Sequence, residues 1–414
     1  MDPSEQAGPA VEAVFREEWG RLLGSLVGQL RDLDLAEEVA SDAVAKALER
    51  WPVDGVPVRP AAWLLTTARH RAIDLLRRDR ALATRIAVLQ VETDRAEPGP
   101  AVELDDDVPD ERLRLFFTCC HPALNLEAQV ALTLRCLGGL ETAEVARLFL
   151  VPPATMAQRI VRAKRKIAVA RIPYRVPGAG ELPQRLPGVL RVLYLIFTEG
   201  YAASSGSALV RGELVDEAVR LTRILHRLLP QQREVTGLLA LMLLTDSRRH
   251  ARTDDEGSML LLDEQDRSRW DPTKIEEGRR LVVSALGPGP GPYALQAAIA
   301  AVHVEAPSVE TTDWPQVVAL YDVLRRVAPS PLVDLNRAVA VSMVDGPDAG
   351  LALLDELVDD PRLATYHRLP VARADLLHRL GRDDEAAAAY RHALDLVGNE
   401  PERDHLRRRL DALS

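Results

Sequence analysis

The sequence predicts an all-α protein. Two features of composition and one of spacing carry this. Apolar residues make up 47% of the chain but aromatics only 4%, so its cores must be built from Leu, Ala and Val. Ala and Leu are strong helix formers. Apolar positions recur at spacings near three, four and seven, while strand-type alternation is hard to find. At 414 residues the chain should hold two or three domains.

The net charge of −10 argues against a uniform coating of nucleic acid, although local basic patches set local binding. Three cysteines make no disulfide framework and fit a reducing compartment. The opening MDPSEQAGPAVEAV lacks the basic and apolar regions of a signal peptide. No apolar run reaches membrane-spanning length, so the expected location is the cytoplasm, without a membrane partner.

Residues 1–10 read as a loose tail. A first helix is expected from about Val11 to Arg31, with Val14, Leu22, Leu26 and Leu30 on one side. A second is expected over about Leu35 to Arg50, with Val39, Val44, Ala47 and Leu48 inward. Glu37, Glu38 and Asp42 stand in its early turns, where acids suit the positive end of the helix dipole. Trp51-Pro52 should end it and open a loop over 51–59. A third helix over Pro60 to about Arg80 pairs an apolar set including Trp63, Leu64, Ala68, Ile73 and Leu76 with basic Arg69, His70, Arg71, Arg77 and Arg78. Such a stripe can lie along phosphates, with an aromatic beside it to stack bases. Residues 92–110 combine Pro, Gly and acids, the composition of a linker.

Two helices should follow, about Asp110 to Cys119 and Leu126 to Leu137, ended by Gly138-Gly139. Thr142 to Ile167 then divides around Val151-Pro152-Pro153. Proline cannot donate inside a helix but is tolerated in a first turn, so one helix stops here and another starts. Met156, Ile160, Val161 and Ile167 form the apolar set of the second, and Gln158, Arg159, Arg162, Lys164, Arg165 and Lys166 its polar set. Two helices, a short turn and a basic second helix describe a helix-turn-helix, whose second helix enters the DNA major groove.

From Glu181 the character changes. Helices are expected at about Pro187–Phe197, Gly212–Leu229, Gln231–Asp246, Thr273–Leu286, Tyr293–Val304, Pro315–Val327 and Leu332–Val344. Residues 247–271 are polar, and GPGPGP at 287–292 reads as a tight connection. Gly381, Ala386, Tyr390 and Ala393 carry tetratricopeptide spacing, and Gly346 stands 35 residues before Gly381, near that repeat's ~34. The concave faces of such solenoids bind peptides or proteins.

Catalytic chemistry finds little support. Adjacent Cys119 and Cys120 with His121 chelate one zinc poorly, and with Cys136 read as buried structural thiols. GPGPGP lacks the Lys and Ser/Thr of a phosphate loop. The acidic runs do not resemble a calcium loop. No metal, cofactor or enzymatic activity is expected.

The order of these parts resembles the sigma-70 family, in its small extracytoplasmic-function branch. LAEEVASDAVAKALERW is similar to the family's core-polymerase-binding helix, and AWLLTTARHRAIDLLRR to the helix that captures the melted minus-ten strand. The helix-turn-helix is similar to the domain that reads the minus-thirty-five element. The resemblance implies domains at 10–90 and 110–175, joined by an acidic linker at 91–109. A helical extension follows at 181–414, its tetratricopeptide-like repeats clearest at 331–398. FTCCHPAL at 117–124 and FTEGYAASSG at 197–206 add to the likeness with a subgroup whose extension controls activity.

Carried over by position, the resemblance implies polymerase contacts at Glu37, Glu38 and Asp42. It implies DNA contacts at Trp63, Arg69, His70, Asp74, Arg77 and Arg78, and at Thr155, Gln158, Arg159, Arg162 and Lys166. Unstacked bases must be held against an unstacking cost of a few kcal/mol, and the 51–59 loop is the expected pocket. Ser41, Val44 and His70 depart from the family's usual residues. The implied partners are core RNA polymerase, promoter DNA and a protein or peptide on the extension. The other open reading is a helix-turn-helix regulator with a partner-sensing solenoid.

Overall fold

The computed structural model describes residues 18–78, 111–149, 151–254 and 256–413. Among them every regular element is helical. The chain forms two compact units that divide between Leu193 and Tyr194. That division falls inside a helix, Leu182–Tyr201, some residues beyond the break expected at Glu181.

In the first unit, helix α1 covers 18–30 of the described residues and buries Trp19, Leu22, Leu23, Leu26 and Leu30. Val14 and the acidic linker lie outside the described residues. Helix α2, Leu33–Asp54, is capped by the Asp32 carboxylate, which accepts from the amides of Asp34 (3.0 Å) and Leu35 (3.1 Å). It differs from its sequence expectation twice. Leu48 is 52% exposed, because the buried ridge is Ala36, Ala40, Ala43 and Ala47, and Leu48 stands one residue off it. The helix also runs through Pro52, so the expected 51–59 loop shrinks to 55–59. Buried Trp51 packs edge-on against Trp63 with centroids 5.5 Å apart, which pins the last turn despite the missing proline N–H. Gly55, at φ 79°, closes it with a bond to the Trp51 carbonyl.

Helix α3, Pro60–Arg78, buries Leu64, Ala68, Ala72, Ile73 and Leu76 and packs along α2. Helices α4, Arg112–Cys119, and α5, Leu126–Cys136, precede the expected helix-turn-helix. That motif is α6, Thr142–Leu148, and α7, Pro153–Val169. A capping box of Glu141 and Glu144 starts α6, and Pro153 in the first turn starts α7. Helix α8, Leu182–Tyr201, is longer at both ends than its apolar run suggested and holds Pro187 within it.

The second unit is built on α10, Arg233–Asp246, buried almost throughout from Val235 to Leu244. Around it pack α9 (Gly212–Leu228), α11 (Pro272–Ala285) and α12 (Pro292–Glu305). The polar stretch expected at 247–271 contains two short 3-10 turns, Arg249–Ala251 and Arg267–Arg269. Helix α13, Trp314–Val327, leads to successive helices α14 (Pro331–Val344), α15 (Pro347–Asp355), α16 (Arg368–Arg379) and α17 (Asp383–Leu396). Gly346 and Gly381 both take positive φ at turns between them, as an L side chain rarely does. Ala386, Tyr390 and Ala393 are buried along α17.

The last helix, α18 (Glu400–Asp411), is tied to the unit's first loop through Asn399 and Glu402. Asn399 Nδ2 donates to the Ala203 carbonyl (3.0 Å) and to Glu402 (2.8 Å). His367 Nε2 stands 3.0 Å and Arg368 Nη2 3.2 Å from the same carboxylate. Burial alone would raise the Glu402 pKa, but His367, Arg368 and Asn399 outweigh it and hold it at about 2.

Two stability predictions follow from this packing. A Cβ on Gly237 would lie 2.6 Å from the Ala294 backbone nitrogen, whereas one on Gly178 would meet nothing within 4 Å. Gly237→Ala should therefore destabilise the second unit by about 2 kcal/mol and Gly178→Ala by less than about 0.5, read from urea midpoints. For Glu402, the depressed folded pKa means its stabilisation is present above the unfolded value and is lost as pH falls toward about 2. Glu402→Gln should flatten the dependence of the urea midpoint on pH between 5 and 2, and an unchanged slope would remove Glu402 from that role.

Candidate functional site

The acids of α2 meet different fates. Glu38 is exposed, and Asp42 is half-buried and accepts from Arg71 Nε at 2.6 Å. Arg71 is held above its ordinary pKa, first by that hydrogen bond and then by the charge of Asp42. Glu37 is only 8% exposed. One of its oxygens accepts from Lys164 Nζ of α7 at 2.5 Å, and the other pairs with Arg135 of α5. Lys164 also reaches Asp34 at 2.8 Å. Burial pulls the Lys164 ammonium down, but Glu37 and Asp34 outweigh it and leave its pKa raised.

Further contacts join the same helices. Trp19 Nε1 donates to the Arg135 carbonyl at 3.1 Å, and the Arg135 guanidinium lies 5.8 Å over the Trp19 ring. Gly139, at φ 73°, fits against that ring where a Cβ would approach to 3.1 Å. Tyr174 Oη donates to the Gly24 carbonyl at 2.7 Å, and burial pushes its phenol well up. The two parts of the first unit that sequence reads as separate modules are thus packed together.

On α3, Trp63 is half-buried against Trp51, and Arg69 Nε donates to Gln29 at 3.2 Å. His70 and Asp74 are exposed. Arg77 and Arg78 belong to the helix, but their side chains lie outside the described residues. On α7, Gln158, Arg162 and Lys166 are exposed and Thr155 is half-buried. Arg159 pairs with Glu127 at 3.1 Å, and Arg162 Nη2 donates to Gln158 at 3.3 Å. The inner face of this helix is Met156, Ile160 and Ala163. Val161, expected in that apolar set, is 62% exposed instead. It follows Ile160 by one residue, about 100° round the helix, and so turns outward with Gln158 and Arg162.

Sequence reasoning missed Lys164, Arg135, Trp19 and Tyr174. A usable signal existed for one of them. Lys164 stands four residues after Ile160 and three before Ile167, so helical spacing puts it on the inner side. No comparable signal marks Tyr174, whose partners are distant in sequence.

The thiols read as the sequence suggested. Cys119, Cys120 and Cys136 are free and buried. A hydrogen bond to Cys136 and burial raise Cys119, and burial pushes Cys120 up to about 12. No group of three His, Cys, Asp or Glu among the described residues could hold a metal ion. No helix among them is long and apolar enough to cross a membrane.

The Glu37 contact can be tested directly. Lys164→Met leaves a buried carboxylate short of one cation and should destabilise the first unit by about 3 kcal/mol. Exposed Lys166→Met should change it by less than about 0.5 kcal/mol, both read from urea unfolding.

Residues 15–82 match sigma-70 region 2, and residues 117–167 match sigma-70 region 4. Residues 185–286 match DUF6596, a family of unknown function. An uncharacterized protein of Rhizobium meliloti (strain 1021), R00370, is 44% identical over 395 residues, covering 95% of this chain and 93% of its own. With α1 to α3 in the region 2 match and the helix-turn-helix in the region 4 match, the first unit carries two sigma-70 regions in order, which supports a sigma-70 family member.

Proposed function

We propose that this protein is an alternative sigma factor of the extracytoplasmic-function branch, acting in the cytoplasm without catalysing a reaction. It binds core RNA polymerase, positions the minus-thirty-five and minus-ten promoter elements, and promotes opening of the duplex. The observation that carries this reading is the presence of both sigma-70 regions, in order, in one chain. An ordinary helix-turn-helix regulator needs only one DNA-facing module.

The roles divide by helix. Glu38 and Asp42 on α2 contact polymerase, and Glu37 joins them once released from Lys164. On α3, Arg69, His70, Asp74, Arg77 and Arg78 follow the strand backbone and edges, while Trp63 supplies a stacking surface. On α7, Thr155, Gln158, Arg159, Arg162 and Lys166 read the major groove and its phosphates. The shortened 55–59 loop, rather than 51–59, is the place for a flipped base. The second unit, with tetratricopeptide-like hairpins at 331–398, regulates activity by engaging a protein or peptide.

The Glu37 contact adds a mechanical requirement. A carboxylate shared by Lys164 and Arg135 cannot also serve polymerase, so engagement must exchange one set of partners for the other. Binding to core can drive this only by favouring the opened arrangement over the packed one.

Reconstituted transcription tests the reading. The full chain is mixed with sigma-free core polymerase and genomic promoter fragments, and transcripts that depend on it are expected. Glu38→Lys should weaken core association about tenfold without changing the fold, since the residue is exposed. Arg162→Ala should weaken promoter binding about tenfold while sparing core association. Duplex binding with no core association would instead support the regulator reading.

A further inference from the structure

The second unit contains a half-open cavity of about 170 Å³ that the sigma reading does not use. Its apolar walls include Leu241 and Leu244 of α10 and Ile299 and Val304 of α12, and its polar lining includes Arg248 and His303. Behind these two, a second arginine completes a basic corner. Arg267 Nη1 donates to the carbonyls of His303 (2.9 Å) and Ala306 (2.7 Å). The guanidinium carbons of Arg248 and Arg267 lie 5.8 Å and 4.4 Å from the centre of the Trp270 ring.

No matching anion faces this corner among the described residues. Neither Arg248 nor Arg267 forms an ion pair among the described residues. Exposed Glu310 acts on Arg267 only as a charge at a distance. Neighbouring Asp246 is already taken by Arg249 (2.6 Å) and Lys274 (2.8 Å). Arg267 Nη2, Trp270 Nε1 and His303 Nδ1 are all buried without a hydrogen-bond partner. Buried polar atoms are ordinarily satisfied, but of these three residues only His303 lines the cavity, so the case for an occupant rests on the Arg248 guanidinium at its polar end, which has no ion pair among the described residues. The charge of the corner also acts on His303, whose pKa burial and then the two arginines lower to about 4.

We propose that this cavity binds a small organic carboxylate with an apolar body, its head at Arg248 and His303 and its tail along Leu241, Leu244, Ile299 and Val304. The cavity is smaller than the roughly 300–1,000 Å³ of drug-sized sites, so the part of the ligand that it holds is a short chain or a single ring. The apolar walls favour a carboxylate with a tail over inorganic phosphate, which would leave them unfilled. This inference stands on the second unit alone and does not depend on the sigma reading.

Titration of the full chain tests it, with hexanoate, hexanamide and inorganic phosphate as probes. Binding is followed by calorimetry and by tryptophan emission, since Trp270 faces Arg248 and Trp314 packs on His303 at 5.2 Å. Hexanoate is expected to bind saturably, and hexanamide and phosphate at least about tenfold more weakly. Arg248→Gln should weaken hexanoate about tenfold. Ala300→Leu, which fills the cavity from its wall without touching a charge, should weaken it comparably and provides an independent variant. Absence of saturable hexanoate binding would overturn the proposal. So would equal binding of hexanamide, tighter binding of phosphate, or hexanoate affinity unchanged in both folded variants.

Discussion

A single buried carboxylate organises the first unit. Glu37 stands on the helix that its sequence neighbours mark as acidic and solvated, yet it is enclosed by Lys164 from one helix and Arg135 from another. A carboxylate removed from water is costly unless its oxygens are matched. Here both oxygens have a cation, and each cation is fixed further, Lys164 by Asp34 and Arg135 through its bond to the Leu140 carbonyl and its place over Trp19. Removing Lys164 or Arg135 leaves the buried carboxylate short of one cation. The contact therefore acts as a unit, and it joins the region 2 match to the region 4 match within one compact body.

That junction constrains how the proposed function can work in this chain. The exposed face of α7 remains open, with Gln158, Val161 and Arg162 outward. Of Glu37, Glu38 and Asp42 on α2, Glu38 is exposed and Asp42 half-buried against Arg71, while Glu37 is engaged inside. The α7 face that the proposed function assigns to DNA is thus open in the packed arrangement, while Glu37 of the acidic set is not. Electrostatics gives such a junction a switch-like character, because a paired buried charge and an unpaired one differ by several kcal/mol. Intermediate geometries, with the carboxylate half desolvated and unmatched, are the least stable.

The second unit uses different physics. Its central helix α10 is apolar on nearly all sides, so neighbouring helices surround it and glycine sets the closest approach, as at Gly237 against Ala294. Charge enters at the margins. The Asn399–Glu402 node ties the last helix to the first loop with every polar group matched. The corner of Arg248, Arg267 and His303 is the opposite case, with no ion pair to either arginine among the described residues and His303 Nδ1 buried without a hydrogen-bond partner there. The contrast between a satisfied node and an unsatisfied corner in one unit is what distinguishes a structural polar cluster from a candidate binding site.

The sequence by itself determined the helical class, the break at Val151-Pro152-Pro153 and the basic face of α7. These are local properties, set by spacing and by proline's missing donor within a few residues. It also carried the family likeness. The end of α2 was less legible, because Pro52 signals a stop that the burial of Trp51 against Trp63 overrides. Leu48 and Val161 misled because hydrophobicity alone does not say which face is inward when alanines form the ridge. Only the tertiary structure decided that Glu37 is engaged by Lys164 and Arg135, and that Arg248 and His303 line one cavity. Those pairings join residues about a hundred positions apart in the first case and about fifty in the second, where no periodicity within a helix can carry the information.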